Sequence, residues 1–359
     1  MKRKAVLVVS ALRGGGAEKF VLNLYKALEK YENYECHILA IEKAVEHDIT
    51  GFRVHFASDI CNVSKKGWRR LFYKKNVAKA IDEFVINNIG EDALVLSNML
   101  LADKIMSQSK LNVYHVMHSS YTSAFLANKK GVGRFKITSK INGIYKNHPL
   151  IFVSKAAEQN YFISFRSKFQ SRVIYNPVDI EEICSLSKGE HVEINSEYLI
   201  HIGRFNRAKR HDRLIKIFSQ VQDDNIKLLL LGEGSLRAEV EKSISNYGLE
   251  QRVEIIGFKS NPYPYLKNAK GLVLTSDYEG LPTVILEALA LQVPVISTNC
   301  PGGITEILGK NSNSLCELDN QELFSKKIDD LIVSSDKYMS TINEQFLPQN
   351  VAKQYSQLD

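Results

Sequence analysis

The sequence predicts an α/β fold made of two doubly wound domains, each built on a mostly parallel sheet. Three observations carry this. Short apolar runs of strand length alternate with stretches of helical period, and the alternation restarts midway along the chain. Glycine-containing loops follow several of the apolar runs, as expected where a strand hands over to a helix. A length of 359 residues exceeds one ordinary core and suits two domains of about 150 to 180 residues.

In the first domain, expected over residues 1–178, Ala5 to Val9 reads as a buried strand. Arg13-Gly-Gly-Gly-Ala-Glu18 is the turn after it, and Phe20, Val21, Leu24, Ala27 and Leu28 then recur at helical spacing. Gly14, Gly15 and Gly16 do not complete a dinucleotide fingerprint, because Lys19 stands where its last glycine should be. A tight turn with no ligand is the plain alternative. Further strands are expected at Cys36 to Ile41, Phe52 to Phe56, Leu94 to Leu96, Val113 to Met117 and Leu150 to Ser154. A helix over Ser64 to Asn88 would turn Leu71, Ala78, Ile81 and Val85 inward, and another follows over Lys155 to Phe162. Val173 to Val178 closes the domain, and the polar stretch 179–197 reads as a linker.

The second domain, expected over 198–340, opens with the strand Tyr198 to Ile202 and the basic loop Gly203 to Arg210. Leu214, Ile217, Phe218 and Val221 mark the next helix face. Strands at Ile226 to Leu231, Val253 to Ile256, Gly271 to Ser276 and Val293 to Ser297 follow, and 341–359 is expected to pack back on the first domain. Ligands of such sheets bind beyond the carboxyl ends of the strands.

Composition narrows the class. Hydrophobic content of 44% and charged content of 24% are those of a globular chain. No run approaches the roughly 18 apolar residues of a membrane span, and Met1-Lys-Arg-Lys leads into too short an apolar run for a secretory signal. The five cysteines are scattered and never in C-x-x-C spacing, so free thiols, a cytosolic setting and no zinc site are expected. Charge is lopsided: residues 1–175 hold 28 Lys and Arg against 14 Asp and Glu, whereas 176–359 hold 19 against 26. The first half should therefore be drawn to an anionic surface.

The most informative stretch is Asp277-Tyr-Glu-Gly-Leu-Pro-Thr-Val-Ile-Leu-Glu-Ala-Leu-Ala-Leu291. Gly280 and Pro282 punctuate it, and Pro282 suits a first helical turn. The amides of Thr283 and Val284, at the positive end of that helix, make a phosphate site. Glu287 falls within an almost wholly apolar helix, where a buried carboxylate needs a partner.

This stretch resembles the E-x7-E motif, in its E-G-x-P form, of retaining GT-B glycosyltransferases of family 4. The resemblance implies that Glu279 lies by the donor sugar and that Glu287 binds the ribose of a nucleotide. Arg204 and Lys209 in Gly203-Arg-Phe-Asn-Arg-Ala-Lys209 match the family's phosphate-binding pair, against the alternative of a solvated basic loop with Arg207 and Arg210. His118 matches a histidine that contacts the donor sugar, with His115 as competitor. Gly15 and Gly16 match the family's glycine loop, and Gly257-Phe258, Gly280-Leu281-Pro282-Thr283, Asn176-Pro-Val-Asp179 and Cys300 to Glu306 resemble its segments. Gln292, where relatives commonly carry glycine, departs from it. The implied activity is transfer from a nucleotide diphosphate sugar, UDP in the first instance, to a saccharide or lipid-linked saccharide of the bacterial cell surface.

No D-x-D motif occurs, and Arg204 with Lys209 supply the charge a diphosphate needs, so no metal and no other cofactor are expected. Lys65, Lys66, Trp68, Arg69, Arg70, Phe72, Lys74 and Lys75, an acid-free basic and aromatic stretch, suit the anionic inner face of a membrane, as does a second basic stretch from Lys129 to Lys140. Ordinary solvated helix faces are the alternative. Nucleic acid finds no supporting motif. A nucleotide-sugar epimerase, a periplasmic-type binding protein and a nucleotide-dependent oxidoreductase are rival readings.

Overall fold

The computed structural model describes residues 2–61, 72–189, 194 and 196–358. Two compact units emerge: Met1–Pro177 with Glu344–Asp359, and Val178–Asn343. Each is a wholly parallel sheet with helices between its strands.

In the first unit the strands are β1 Arg3–Val9, β2 Tyr34–Ala40, β3 Val54–Phe56, β4 Leu94–Asn98, β5 Val113–Met117, β6 Leu150–Phe152 and β7 Arg172–Val173. They lie in the order β3-β2-β1-β4-β5-β6-β7. The second unit has β8 Tyr198–Ile202, β9 Lys227–Leu231, β10 Val253–Gly257, β11 Gly271–Leu274, β12 Val295–Thr298 and β13 Leu315–Cys316, in the order β10-β9-β8-β11-β12-β13. The continuous apolar runs follow from this architecture, because helices cover both faces and a side chain on either face is buried. Ala5 through Val9 have no solvent exposure at all. Strand order reverses between β1 and β4 and again between β8 and β11. At such a switch point the loops leave in opposite directions and open a crevice at the carboxyl ends of the strands.

Helical spacing delivered the faces it implied. Phe20, Val21, Leu24, Ala27 and Leu28 are buried along the helix Gly16–Tyr31, and Ala78, Ile81 and Val85 are fully buried along Tyr73–Phe84 and the wider turn that continues it. Leu71 and the first part of that expected helix lie outside the described residues.

The stretch read as a linker is in part a helix of the second unit, Ile180–Leu186. Asp179 caps it by accepting from the Glu182 amide at 3.0 Å, and Ile183 is buried. Its polar residues supply the cap and the acidic first turn, which composition alone does not separate from a loop. The C-terminal helix Pro348–Ser356 groups with the first unit: Tyr355 is fully buried 6.3 Å from the ring of Phe20, and Arg3 and Arg172 donate to the carbonyls of Ser356 and Gln357 at 2.6 and 3.1 Å.

Gln292 ends the helix Thr283–Ala290 in the left-handed region, φ +58°, and the next amide, of Val293, reaches back to the Ala288 carbonyl at 2.9 Å. A Cβ is disfavoured there, which is why glycine suits the position. Gln292→Gly should therefore raise stability by about 1 kcal/mol, less the entropy glycine adds to the unfolded chain. A urea midpoint that stays put or falls would show that the Gln292 side chain contributes more than its backbone strain costs.

Candidate active site

The second unit assembles its polar groups at the carboxyl ends of β8 and β11, the two strands flanking the switch point. After β8 the chain turns through Gly203, and Asn206 accepts from the Lys209 amide at 3.2 Å, winding the short turn Arg207–Lys209 that aims Lys209 inward. After β11 it passes Ser276 and Asp277 to Glu279. Lys209 Nζ then donates to Glu279 Oε1 at 2.6 Å, and Ser276 Oγ donates to the same oxygen at 2.6 Å. With side-chain exposures of 17% and 12%, the Lys209–Glu279 pair is shielded enough for charge and hydrogen bonding to reinforce each other.

Backbone closeness holds this arrangement. Glu279 donates its amide to the Pro301 carbonyl at 2.9 Å and Gly303 donates to the Gly280 carbonyl at 2.7 Å, clasping the loop after β11 to the loop after β12. A Cβ on Gly302, whose φ is +137°, would sit 2.4 Å from the Glu279 carbonyl oxygen. Likewise a Cβ on Gly232 would lie 2.1 Å from the Gly203 carbonyl oxygen, so the loop after β9 can press on the loop after β8 only as glycine.

Asp277 is committed elsewhere. It accepts from Arg213 at 2.6 Å and from Arg210 at 3.2 Å, while Arg213 also donates to the Thr275 carbonyl at 2.8 Å. The Asp277 amide bonds the Ala208 carbonyl at 2.8 Å, and Thr275 Oγ1 donates to the Lys209 and Arg210 carbonyls, each at 3.2 Å. Arg210 is therefore no loose solvated charge; it helps lock the two loops together. Arg204 is exposed on the same loop.

Along Thr283–Ala290 every residue after Thr283 is buried, including Glu287 at 5% exposure, where it is partnered. Gly280, Leu281 and Pro282 are buried in the turn before it, with Thr283 half-buried at the helix start. Gly257 takes φ +82° at the end of β10, and Phe258 beyond it is 39% exposed.

In the first unit the polar groups again cluster at strand ends. His118, just after β5, pairs through Nε2 with Asn98 Oδ1 at 2.9 Å, and Asn98, the last residue of β4, anchors to the Val8 and Leu96 carbonyls, each at 3.2 Å. The Phe20 ring stands edge-on to His118 at 4.8 Å, and burial lowers the histidine's pKa, keeping it neutral. His115 belongs to the core: fully buried, its Nδ1–H donates to Asp103 at 2.9 Å, and Ser97 and Tyr145 donate to the same carboxylate at 2.6 and 2.7 Å. None of Gly14, Gly15 and Gly16 takes a positive φ, so backbone conformation does not require glycine in this loop. Gly16 opens the helix with nothing within 4 Å of where its Cβ would be.

Lys65, Lys66, Trp68, Arg69 and Arg70 lie outside the described residues. Of that stretch, Phe72, Lys74 and Lys75 are described, and all three are exposed. Among the described residues no helix is long and apolar enough to cross a membrane.

Asn206, Ser276 and Arg213 escaped the sequence reading. Arg213 had a signal: it lies among the mostly apolar inward positions of the helix His211–Phe218. Ser276 and Asn206 each bond a residue three positions further along their own loop, where no hydrophobic period marks a polar side chain as structural.

Beneath Lys209 lies a pair of buried histidines. His201 Nδ1–H donates to the Val273 carbonyl at 2.8 Å, its other nitrogen has no hydrogen-bond partner, and its ring lies 4.7 Å from that of His211, whose two ring nitrogens also lack partners. Burial, then the neighbouring His211 and Lys209 charges, hold His201 well below its ordinary pKa; burial, then the Lys209 charge, lowers His211 to about 4.

The comparisons with known proteins give these geometries a context. Residues 187–345 match the family model described as Glycosyl transferases group 1. A Campylobacter jejuni relative, N-acetylgalactosamine-N,N'-diacetylbacillosaminyl-diphospho-undecaprenol 4-alpha-N-acetylgalactosaminyltransferase, is 26% identical over 89% of this chain and 87% of its own. Among solved structures, S. aureus TarM in complex with UDP and alpha-GlcNAc-glycerol superposes with a TM-score of 0.73 at 15% identity, over 98% of this chain and 95% of that one. Anabaena HepE in complex with UDP and glucose gives 0.71 at 17% identity, over 99% and 95%. The fold is that of the GT-B glycosyltransferases, two Rossmann-like parallel-sheet domains, and the chain is a glycosyltransferase.

Unfolding exposes His201 and His211 and restores their ordinary pKa, so below about pH 6.5 the unfolded chain binds more protons than the folded one. Their neutral burial is compatible with full stability above that pH, and stability falls as pH drops toward 4. Going from pH 7 to 5 should cost about 2 kcal/mol per histidine. Urea unfolding of wild type and His211→Leu at both pH values tests this: the variant should lose about 2 kcal/mol less, and equal losses would remove His211 from the account.

Proposed function

We propose that this glycosyltransferase, whose residues 187–345 match the group 1 model, transfers a sugar from a nucleotide diphosphate sugar, with UDP as the nucleotide, to a saccharide or lipid-linked saccharide acceptor, retaining the configuration at the anomeric carbon. The single observation that carries the proposal is the Lys209–Glu279 contact at 2.6 Å beside a switch point. A cation on one loop and a carboxylate on the next suit the two ends of such a donor. Lys209, with Arg204 on its loop and the Thr283 and Val284 amides, would hold the diphosphate; Glu279 would face the sugar hydroxyls and Glu287 the ribose. As the bond from the anomeric carbon to the diphosphate breaks and one to an acceptor hydroxyl forms, negative charge grows on the departing phosphate. A fixed ammonium stabilises it without reorganising.

The donor belongs to the second unit in this reading, with Gly257 and Phe258 bordering the nucleotide. The acceptor falls to the first unit, whose His118 and Gly15–Gly16 loop are its candidates for contact with the transferred sugar. The relative named for a diphospho-undecaprenol substrate supports a lipid-linked acceptor, and the UDP complexes of the two structural neighbours support the nucleotide. The enzyme would work peripherally on the cytoplasmic face of the membrane, in cell-surface polysaccharide or lipopolysaccharide assembly. No metal takes part: Arg210 and Arg213 already occupy Asp277, the acid nearest Glu279 in sequence, and Lys209 supplies the positive charge.

Two measurements check this. Glu287→Ala should weaken binding of UDP by about tenfold or more, from loss of charge-assisted hydrogen bonds, whereas Glu279→Ala should leave it nearly unchanged and lower turnover at least about a hundredfold. Calorimetry showing native UDP affinity in Glu287→Ala would sink the ribose assignment. UDP release from a UDP-sugar with acceptor present should also survive excess EDTA; loss of activity restored by magnesium or manganese would place a metal on the diphosphate.

A further inference from the structure

We propose that the N-terminal half of the helix Gly131–Tyr145, together with the segment 163–169 beside it, is the surface by which this enzyme seats itself on an anionic lipid bilayer. The inference rests on the lipid-linked acceptor of the preceding reading and assigns the membrane contact to a described part of the first unit.

Sequence and structure converge on this face. Between Lys104 and Val178 the chain holds twelve Lys and Arg against one acid, Glu158. Glu158 does not face an open surface freely, since Ser171 Oγ donates to it at 2.5 Å. The helix Gly131–Tyr145 is seated in the core through its second half, by buried Ile141, Ile144 and Tyr145 with half-buried Ile137. Its first turns stand in solvent, with Val132 and Phe135, three residues apart and so on one face, 69% and 74% exposed. Lys136 and Lys140, one turn apart, are exposed as well, as are Lys129 and Lys130 just before the helix.

The segment 163–169 is tied along this helix. Arg134 donates to Ser164 Oγ at 2.7 Å, the Arg166 amide to Asn142 Oδ1 at 2.8 Å, and the Lys168 amide to the Lys146 carbonyl at 2.8 Å. It adds Ile163 at 67% exposure and Phe169 at 49%. The result is four large apolar side chains in water, interleaved with cations, on two fixed and adjacent pieces of backbone.

A globular surface tolerates single exposed apolar residues, but not for free when they gather beside like charges. Anionic lipid answers both features: headgroup phosphates neutralise the lysines, and Val132, Phe135, Ile163 and Phe169 enter the acyl boundary. Nucleic acid would answer the charge and could stack a base on Phe135 or Phe169, but it offers nothing to the exposed aliphatic Val132 and Ile163, which a bilayer does.

The test uses the full-length protein with phosphatidylcholine vesicles made with and without phosphatidylglycerol. Wild type should sediment with the anionic vesicles only. Lys136→Glu with Lys140→Glu should lower partitioning at least about tenfold at low salt. Val132→Ser with Phe135→Ser should remove the part of binding that persists at high salt. Transfer to a water-soluble, short-chain acceptor, followed in parallel as UDP release, should be unchanged in both variants, which verifies folding. If no acceptor of any kind supports transfer, the functional reading fails while the vesicle result still judges the surface. The surface is overturned if both variants bind vesicles as wild type does, or if only reversal of Lys65, Lys66, Arg69 and Arg70 releases the protein. It is also overturned if the same reversals abolish binding to single-stranded RNA or duplex DNA but leave vesicle binding intact.

Discussion

A single buried-edge contact, Lys209 Nζ to Glu279 Oε1, joins two loops that are 70 residues apart in sequence, and the geometry of the second unit is arranged to keep it. An ammonium and a carboxylate so shielded are costly unless each stays paired and hydrogen-bonded. Ser276 provides a further donor to the carboxylate, and Asn206 fixes the turn from which the lysine projects. Around them, Arg210 and Arg213 hold Asp277, so that the loop carrying Glu279 is fastened both to the loop carrying Lys209 and to the helix that follows it. The charges a diphosphate sugar would meet are thus set before it arrives, which is the condition under which fixed dipoles and charges lower a barrier.

That fastening depends on backbones approaching more closely than a side chain allows. Gly232 lies against Gly203, and Gly302 lies against Glu279 itself. These glycines act at one remove from chemistry, by letting the loops after four adjacent strands, β9, β8, β11 and β12, pack closely in pairs. The glycines after β1 are of another kind: none takes a positive φ, and Gly16 leaves open space at the helix start.

Much of the fold was legible because a parallel sheet buried on both faces must be written as continuous apolar runs, and Ala5 to Val9 or Leu228 to Leu231 have little other use. The helix Thr283–Ala290 was legible for a related reason, being an almost unbroken apolar run in which Glu287 stands out. Short and polar elements were not legible. Ile180–Leu186 looked like a linker because its acids cap and start a helix, and β13 has two residues, below the length at which alternation or burial leaves a pattern. In the candidate site, Lys209 and Glu279 were named from the resemblance, and no spacing showed that they meet across 70 residues; Arg213 likewise reaches Asp277 only in the folded chain, whereas Ser276 and Asn206 act within their own loops. His115 and His118 could not be told apart by spacing; the fold separates them, since one feeds the buried carboxylate of Asp103 and the other ends at the strand edge with Asn98.

The central claim is that Lys209 is the cation for the donor's diphosphate. Comparing the affinities of UDP and uridine in wild type and Lys209→Met tests it most directly. The account predicts that UDP affinity falls at least about tenfold while uridine affinity stays within about twofold, because only the former presents phosphate charge to the ammonium. Equal affinities for UDP in the two proteins, or parallel losses for UDP and uridine, would contradict it.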